Sequence, residues 1–228
     1  MSASINHELN QPLTAIRSYA DNGHLLLDRE RYGDVRGNLR KIAEMVDRMA
    51  TIGAQLKQFA RKTTGHCISV SLVDSVAASI GILGSKLKNV GVEVENRIPR
   101  DSSLNVQADP IQLEQILINL ISNAANAVKE QSERRIEVSA ETVGNRVVVR
   151  VSDNGPGIPE DRLEQIFEPF FTTRETGLGL GLSISQRIAQ SMGGTLNARN
   201  SIDGGAVFSL ELCAASDQQD APETGTAA

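Results

Sequence analysis

The chain has 228 residues, 40% of them hydrophobic, and its 23 basic and 28 acidic side chains leave a net charge of −5. This fits a globular chain of one or two domains with an ordinary core, and the acidic balance, without any dense Lys/Arg run, excludes a nucleic-acid footprint. No apolar run approaches the roughly 20 residues of a membrane span, and the first residues do not read as a signal peptide, so the expectation is a soluble polypeptide with no membrane contact of its own.

From Ser2 to about Asp28 the sequence predicts one long helix. Ile5, Leu9 and Ile16, widened by Leu13, Ala20 and Leu27, recur at spacings of three and four and make an apolar stripe. His7 lies about 200° around the axis from both Ile5 and Leu9, on the opposite, wet side. Asn10 and Gln11, three and four residues on, share its face, and Glu8 lies beside it. Pro12 takes away one intrahelical hydrogen bond and bends the helix near that histidine. A lone histidine on such a helix is ordinarily only solvated, so its meaning depends on the motifs of the remaining chain.

Arg29 to Gly37, polar with two glycines, reads as a connection. Leu39, Ile42, Val46, Met49, Leu56 and Ala60, joined by Met45, Ile52 and Phe59, then give a second helix a wide apolar face. One partner helix cannot cover so much. Two hairpins packed as a four-helix bundle would, so residues 1–62 predict a homodimer. His7 stands six residues from Met1, about 9 Å at roughly 1.5 Å per residue. The expected dimer is therefore weaker than that of a chain extended before Met1.

Residues 63–67 form a short polar linker, and mixed α and β content begins after it. Strand candidates are Cys67–Ser71, Val90–Glu95 and Leu104–Gln107, with a helix over Leu72–Leu87. Asp109 caps, and Pro110 opens, a helix reaching about Glu130. Strands Arg135–Thr142 and Arg146–Asp153 flank the turn Val143-Gly144-Asn145. A helix over Leu180–Met192 and strands Thr195–Asn200 and Ala206–Leu212 close the domain, 68–213. Residues 214–228 read as a disordered tail. Cys67 and Cys213, with no C-x-x-C or Cys/His cluster, read as free thiols of a reducing compartment.

Four stretches of this domain carry chemistry. Asn119 and Asn123 share one helix face opposite Ile116, Leu117, Leu120 and Ile121; asparagine is a mediocre helix former, so two stacked amides point to use. Asp153-Asn154-Gly155-Pro156-Gly157-Ile158 ends a strand with one carboxylate and two glycines. Ile166-Phe167-Glu168-Pro169-Phe170-Phe171 gathers three of the five phenylalanines. Gly177-Leu178-Gly179-Leu180-Gly181-Leu182 leads into a helix whose N–H groups could receive phosphate. The glycine spacing is neither a Rossmann fingerprint nor a P-loop.

His7-Glu8-Leu9-Asn10-Gln11-Pro12 resembles the phosphoacceptor box of sensor histidine kinases of two-component systems. The four later stretches resemble, in order, the N box, first glycine box, F box and second glycine box of the same family. The wording His-Glu-Leu-Asn-Gln-Pro-Leu-Thr-Ala-Ile-Arg-Ser-Tyr-Ala-Asp-Asn is most similar to the C4-dicarboxylate sensor kinases, which work with NtrC-type response regulators. The resemblance implies an α+β chain: a helical hairpin forming a dimeric four-helix bundle, then an α/β sandwich ATP-binding domain of the GHKL (Bergerat) type. It implies ATP and Mg²⁺ as cofactors, a response-regulator receiver domain as partner, and a cytoplasmic place beneath a parent anchored in the bacterial inner membrane.

By the same resemblance His7 is the phosphoacceptor, Glu8 takes its other ring proton, and Asn10 orients water for dephosphorylating the regulator. Asn123 ligates Mg²⁺, with Asn119 and Asn126 near the phosphates. Asp153 accepts from the adenine amino group, chemistry open to an acceptor-only carboxylate, while Gly155, Gly157 and Ile158 line the base. Phe171 stands at the base of the ATP lid and Thr173 within it, both toward the nucleotide, and Gly177, Gly179, Leu180 and Gly181 hold phosphate. The sequence departs from the family in a lid of only Thr172 to Thr176, in Arg174 where lysine often stands, and in Asn126 where a basic residue can stand. These departures lead us to expect looser ATP binding. Two other classes remain open: a GHKL-type ATPase that leaves His7 unused, and a non-catalytic dimeric signalling scaffold.

Overall fold

The computed structural model describes residues 2–60, 66–100, 102, 104–173 and 178–215. They fall into two compact units, one drawn from 1–63 with 164–184 and the other from 64–163 with 185–228.

In the first unit, α1 (Ser2–Asp28) and α2 (Tyr32–Ala60) form a hairpin. Its turn is tight: Arg31 N–H donates to Leu26 O at 2.9 Å, and Glu30 takes a left-handed φ of 56°. The connection is thus three residues, where composition suggested one reaching Gly37. Gly33 stands in the first turn of α2 and Gly37 inside it, the latter at a cost of about 1 kcal/mol, outweighed by the face of α2 that packs through Val35, Ile42, Met45 and Ile52.

The buried side of α1 carries Pro12, Ile16, Tyr19, Gly23 and Leu26, and Asn38 Nδ2 donates across to Tyr19 O at 3.1 Å. Periodicity assigned Leu13, Leu27, Leu39 and Val46 to buried stripes as well. Here they are 47%, 46%, 61% and 51% exposed, so the apolar faces are wider than one hairpin covers.

The second unit contains β1 (Ile68–Ser71), α3 (Leu72–Ile82), α4 (Gly84–Val90), β2 (Glu93–Asn96), β3 (Asn105–Ala108), α5 (Pro110–Ala127), β4 (Arg135–Val143) and β5 (Arg146–Asp153). It ends with most of α6 (Gly181–Ser191), then β6 (Thr195–Asn200) and β7 (Ala206–Cys213). Five strands form one sheet in the order β2-β4-β5-β7-β6. β2 runs parallel to β4 because the chain returns through β3 and α5, and the other neighbours are antiparallel. Together with the hairpin this is the expected α+β architecture.

Several bounds differ from the sequence reading, most of them by one residue. The helix expected over 72–87 breaks at Leu83, between Gly81 and Gly84, and Gly91, at φ 69°, ends α4 and delays β2 to Glu93. α5 stops at Ala127 rather than Glu130. After β7, Ala214 pairs with Val106 and Ala215 N–H donates to Asn105 O at 2.9 Å, so the chain stays on the ladder where a tail was expected. The open backbone edge of β3 gives these two residues their partners. The rest of that tail, and linker residues 63–65, lie outside the described residues.

The core sits between sheet and helices. β5 buries Val147, Val149, Val151 and Asp153 in strict alternation, and α5 covers that layer with Leu113, Ile116, Leu117, Leu120 and Ile121, each fully buried. The β6–β7 turn then meets the end of β5. Gly205 has φ +83°, and a Cβ on it would lie 1.8 Å from Asp153 O. Gly205→Ala is expected to destabilise this unit by about 2 kcal/mol or more, through strain and backbone collision together. Urea denaturation measures it, and a loss under about 0.5 kcal/mol, the size of an ordinary surface change, would mean that the turn relaxes freely.

Candidate functional site

The site is built outward from α5. Asp109 Oδ1 accepts Ile111 N–H at 3.0 Å and Gln112 N–H at 3.1 Å, and Pro110 occupies the first turn, so the helix start is fixed as its sequence predicts. Its apolar face is committed to the core, which turns the opposite face, with Asn119, Asn123 and Asn126, into a half-buried polar strip. Asn119 Nδ2 donates to Ser185 Oγ of α6 at 2.9 Å, and Asn123 Nδ2 approaches Asn119 Oδ1 at 3.5 Å. Only the oxygen of an asparagine amide can ligate a cation. A single hard oxygen suits Mg²⁺, which takes most ligands from phosphate and water, and among the described residues no group of three His, Cys, Asp or Glu gathers to hold a metal unaided.

The loop after β5 comes against the last turn of α5. A Cβ on Gly155 would lie 3.0 Å from both Ala127 Cβ and Ala127 O, and Ala127 is four residues after Asn123. This contact brings the asparagine strip and the Asp153–Ile158 loop together. Asp153 occupies the last inward position of β5 and is 6% exposed. Its Oδ1 accepts Gly155 N–H at 2.9 Å and Ala206 N–H at 3.3 Å, and no cation pairs with it among the described residues. Burial pushes its carboxyl above the ordinary carboxylate value, and the two backbone N–H groups pull it partly back.

Asn154 anchors one side of this loop, accepting Arg135 N–H on Oδ1 at 2.8 Å and donating Nδ2 to Glu133 O at 2.9 Å. Asn200 anchors the other through both backbone groups of Ile158. Sequence reasoning missed Asn200, Gly205 and Ser185. Their one visible trace was the Gly204-Gly205 pair between the closing strands, which as sequence is only a turn.

The segment 164–184 belongs to the other unit. Within it, Phe170 N–H donates to Gly179 O at 3.1 Å. Phe170 holds φ +71°, Gly179 has φ +62°, and a Cβ on Gly179 would fall 2.3 Å from Phe171 O. Only glycine fits there. Leu180 is buried, Phe171 is half-buried and Thr173 is exposed. Gly181 opens α6, the helix that carries Ser185 four residues on. Gly177 lies outside the described residues, as do the side chains of His7 and Glu8, whose backbone belongs to α1. Asn10 is exposed on that helix, and its carbonyl accepts Thr14 Oγ1 at 2.8 Å.

The chain matches two known families: residues 1–65 match "His Kinase A (phospho-acceptor) domain", and residues 108–216 match "Histidine kinase-, DNA gyrase B-, and HSP90-like ATPase". It is 45% identical over 215 residues to the C4-dicarboxylate transport sensor protein DctB of Pseudomonas aeruginosa, covering 93% of this chain and 35% of that protein. The protein of the same name from Rhizobium meliloti is 36% identical over 214 residues, 93% of this chain and 34% of that one. The chain thus spans about a third of these relatives' length. Among solved structures, a nucleotide-free catalytic domain of histidine kinase ThkA superposes at TM-score 0.59 with 32% identity, over 65% of this chain and 96% of that one. ThkA in complex with the response regulator protein TrrA superposes at 0.73 with 27% identity, over 94% of this chain and 61% of that one.

The burial of Asp153 predicts a pH-dependent effect on stability. Because its folded pKa is raised, ionised Asp153 opposes folding: the stability present below the ordinary carboxylate pKa, about 4, is partly lost as pH rises through the raised value. Asp153→Asn keeps an oxygen for both N–H donors without the charge. Its Tm is expected to exceed the wild type's at pH 7 and to converge with it below about pH 4; a melting series across pH that shows no excess at pH 7 would contradict this.

Proposed function

The chain belongs to the sensor histidine kinases, and from that premise we propose that it phosphorylates His7 from ATP and passes the phosphoryl group to an aspartate of an NtrC-type response-regulator receiver domain. The observation that carries the reading is Asp153, a buried carboxylate without a cationic partner among the described residues, set beside glycines that leave no room for side chains. A buried anion is costly. It is retained here because an acceptor-only group matches the amino group of adenine.

In this reading Asn123 holds Mg²⁺ through its oxygen, Asn119 and Asn126 stand near the phosphates, and the N–H groups of Gly179, Leu180 and Gly181 neutralise phosphate charge at a helix start. Mg²⁺, when bound, neutralises charge on the transferring phosphoryl group, for which positioning and charge neutralisation are the main requirements. A neutral ring nitrogen of His7 forms the bond to the γ-phosphorus as the bond to the bridging oxygen breaks and ADP leaves. Glu8 accepts the proton from the other ring nitrogen, which keeps the imidazole nucleophilic. Asn10 orients water for the reverse duty, dephosphorylation of the regulator.

The uncovered Leu13, Leu27, Leu39 and Val46 favour a homodimer, since a second hairpin supplies the missing apolar partner. We assign 1–62 to dimerisation and phosphotransfer and 68–213 to ATP binding. The proposed setting is the cytoplasmic part of a longer protein anchored in the bacterial inner membrane; no described helix of this chain is long and apolar enough to cross one.

His7→Gln is expected to abolish acid-labile label from γ-labelled ATP while leaving ATP affinity within about twofold, too small a change to register a lost contact at about 1.4 kcal/mol per decade. Label retained at another residue would refute the assignment, and ATP turnover without any phosphohistidine in wild type would favour the ATPase reading. Asn10→Ala is expected to slow dephosphorylation of a phosphorylated regulator more than autophosphorylation. Equal dephosphorylation rates for variant and wild type would remove Asn10 from that role.

A further inference from the structure

Asn200, the last residue of β6, grips the Asp153–Ile158 loop by its far end. Its Oδ1 accepts Ile158 N–H at 2.8 Å, and its Nδ2 donates to Ile158 O at 2.6 Å, so one side chain satisfies both backbone groups of one loop residue. The same Oδ1 stands 2.9 Å from where a Cβ on Gly157 would be, and Gly157 has φ +76°. Asn200 therefore occupies the space beside that glycine as well as bonding the next residue. Immediately after it, the turn closed by Ser201 N–H to Gly205 O at 3.0 Å sets Gly205 against Asp153 O and brings Ala206 N–H to Asp153 Oδ1. The β6–β7 hairpin thus holds the loop at both ends, Asp153 through Ala206 and Ile158 through Asn200.

We propose that Asn200 is a positioning residue for nucleotide selection: by clamping Ile158 it fixes the loop that presents Asp153, and with it the preference for adenine over guanine. This role rests on the reading of Asp153 as acceptor for the adenine amino group. Guanine offers a carbonyl oxygen at that edge, which a carboxylate repels, so discrimination depends on the carboxylate staying where it meets the base directly. A loop released from Ile158 keeps its residues and loses that fixed geometry. ATP then loses more affinity than GTP, and the phosphate-holding groups are untouched.

Two variants of the full chain test this. Asn200→Asp preserves size and the acceptor for Ile158 N–H but sets a carboxylate oxygen against Ile158 O, and Asn200→Ala removes both bonds. Each is expected to weaken ATP binding about tenfold, with GTP affinity changed less than about twofold, KM for ATP raised, and the rate at saturating ATP retained. Wild-type behaviour of the isosteric Asp variant, with loss only in the Ala variant, would mean that Asn200 merely fills space. Equal losses for ATP and GTP, or the disappearance of a cooperative melting transition in both variants, would likewise overturn the proposal. Asp153→Asn measured in parallel separates the two claims. Unchanged ATP affinity there refutes the adenine reading itself, whereas lost affinity there with an unaltered ATP/GTP ratio in the Asn200 variants refutes only the clamp.

Discussion

A carboxylate at the inward end of a core strand is the constraint on which the arrangement around it depends. The alternation of β5 puts Val147, Val149 and Val151 into the hydrophobic layer, and Asp153 is next in that series. Desolvation penalises its charge, and among the described residues the answer comes from backbone donors rather than from a cation: Gly155 and Ala206 each give an N–H to Oδ1. An arginine or lysine would have lowered the cost further, but it would also have occupied the acceptor. Fixed backbone dipoles stabilise the anion in part and leave it able to receive a donor from outside.

Backbone donors work only at close range, and that explains the glycines. A Cβ on Gly155 would lie 2.9 Å from Asp153 Oδ1 and 3.0 Å from Ala127, and one on Gly205 would collide with Asp153 O at 1.8 Å. A segment of so many small residues costs much conformational entropy to order, and it is held by side chains that bond to backbone. Asn154 and Asn200 each use both ends of an amide to do this. Asparagine suits the task because one planar group supplies a donor and an acceptor together.

The hairpin solves a different problem. Its helices carry apolar residues around more of their circumference than a single neighbour can cover, and Leu39 and Val46 remain more than half exposed. In an isolated hairpin that surface is a liability. Backbone strain outside glycine falls, among the described residues, at Glu30 in the hairpin turn, φ 56°, and at Phe170, which holds φ +71° and donates its N–H to Gly179 O.

Local chemistry made much of this legible in the sequence. The two long helices, the Asp109-Pro110 cap and the strands over Arg135–Thr142, Arg146–Asp153 and Thr195–Asn200 come from period and capping, which act over a few residues, and the five motifs identify the family because their spacing is itself sequence. Periodicity says which residues share a face but not which neighbour covers it, so Leu13, Leu27, Leu39 and Val46 were assigned to a buried stripe that the hairpin leaves open. Gly33 and Gly37 looked like a connection because their helix penalty is local, whereas the packing that overrides it joins residues on two helices. Asn200 was invisible for the same reason. Its partner is 42 residues away in sequence, and only the pairing of β6 with β7 beside β5 brings that amide to Ile158 and Gly205 to Asp153, because hydrogen bonds and steric limits act over ångströms in space whatever the separation along the chain.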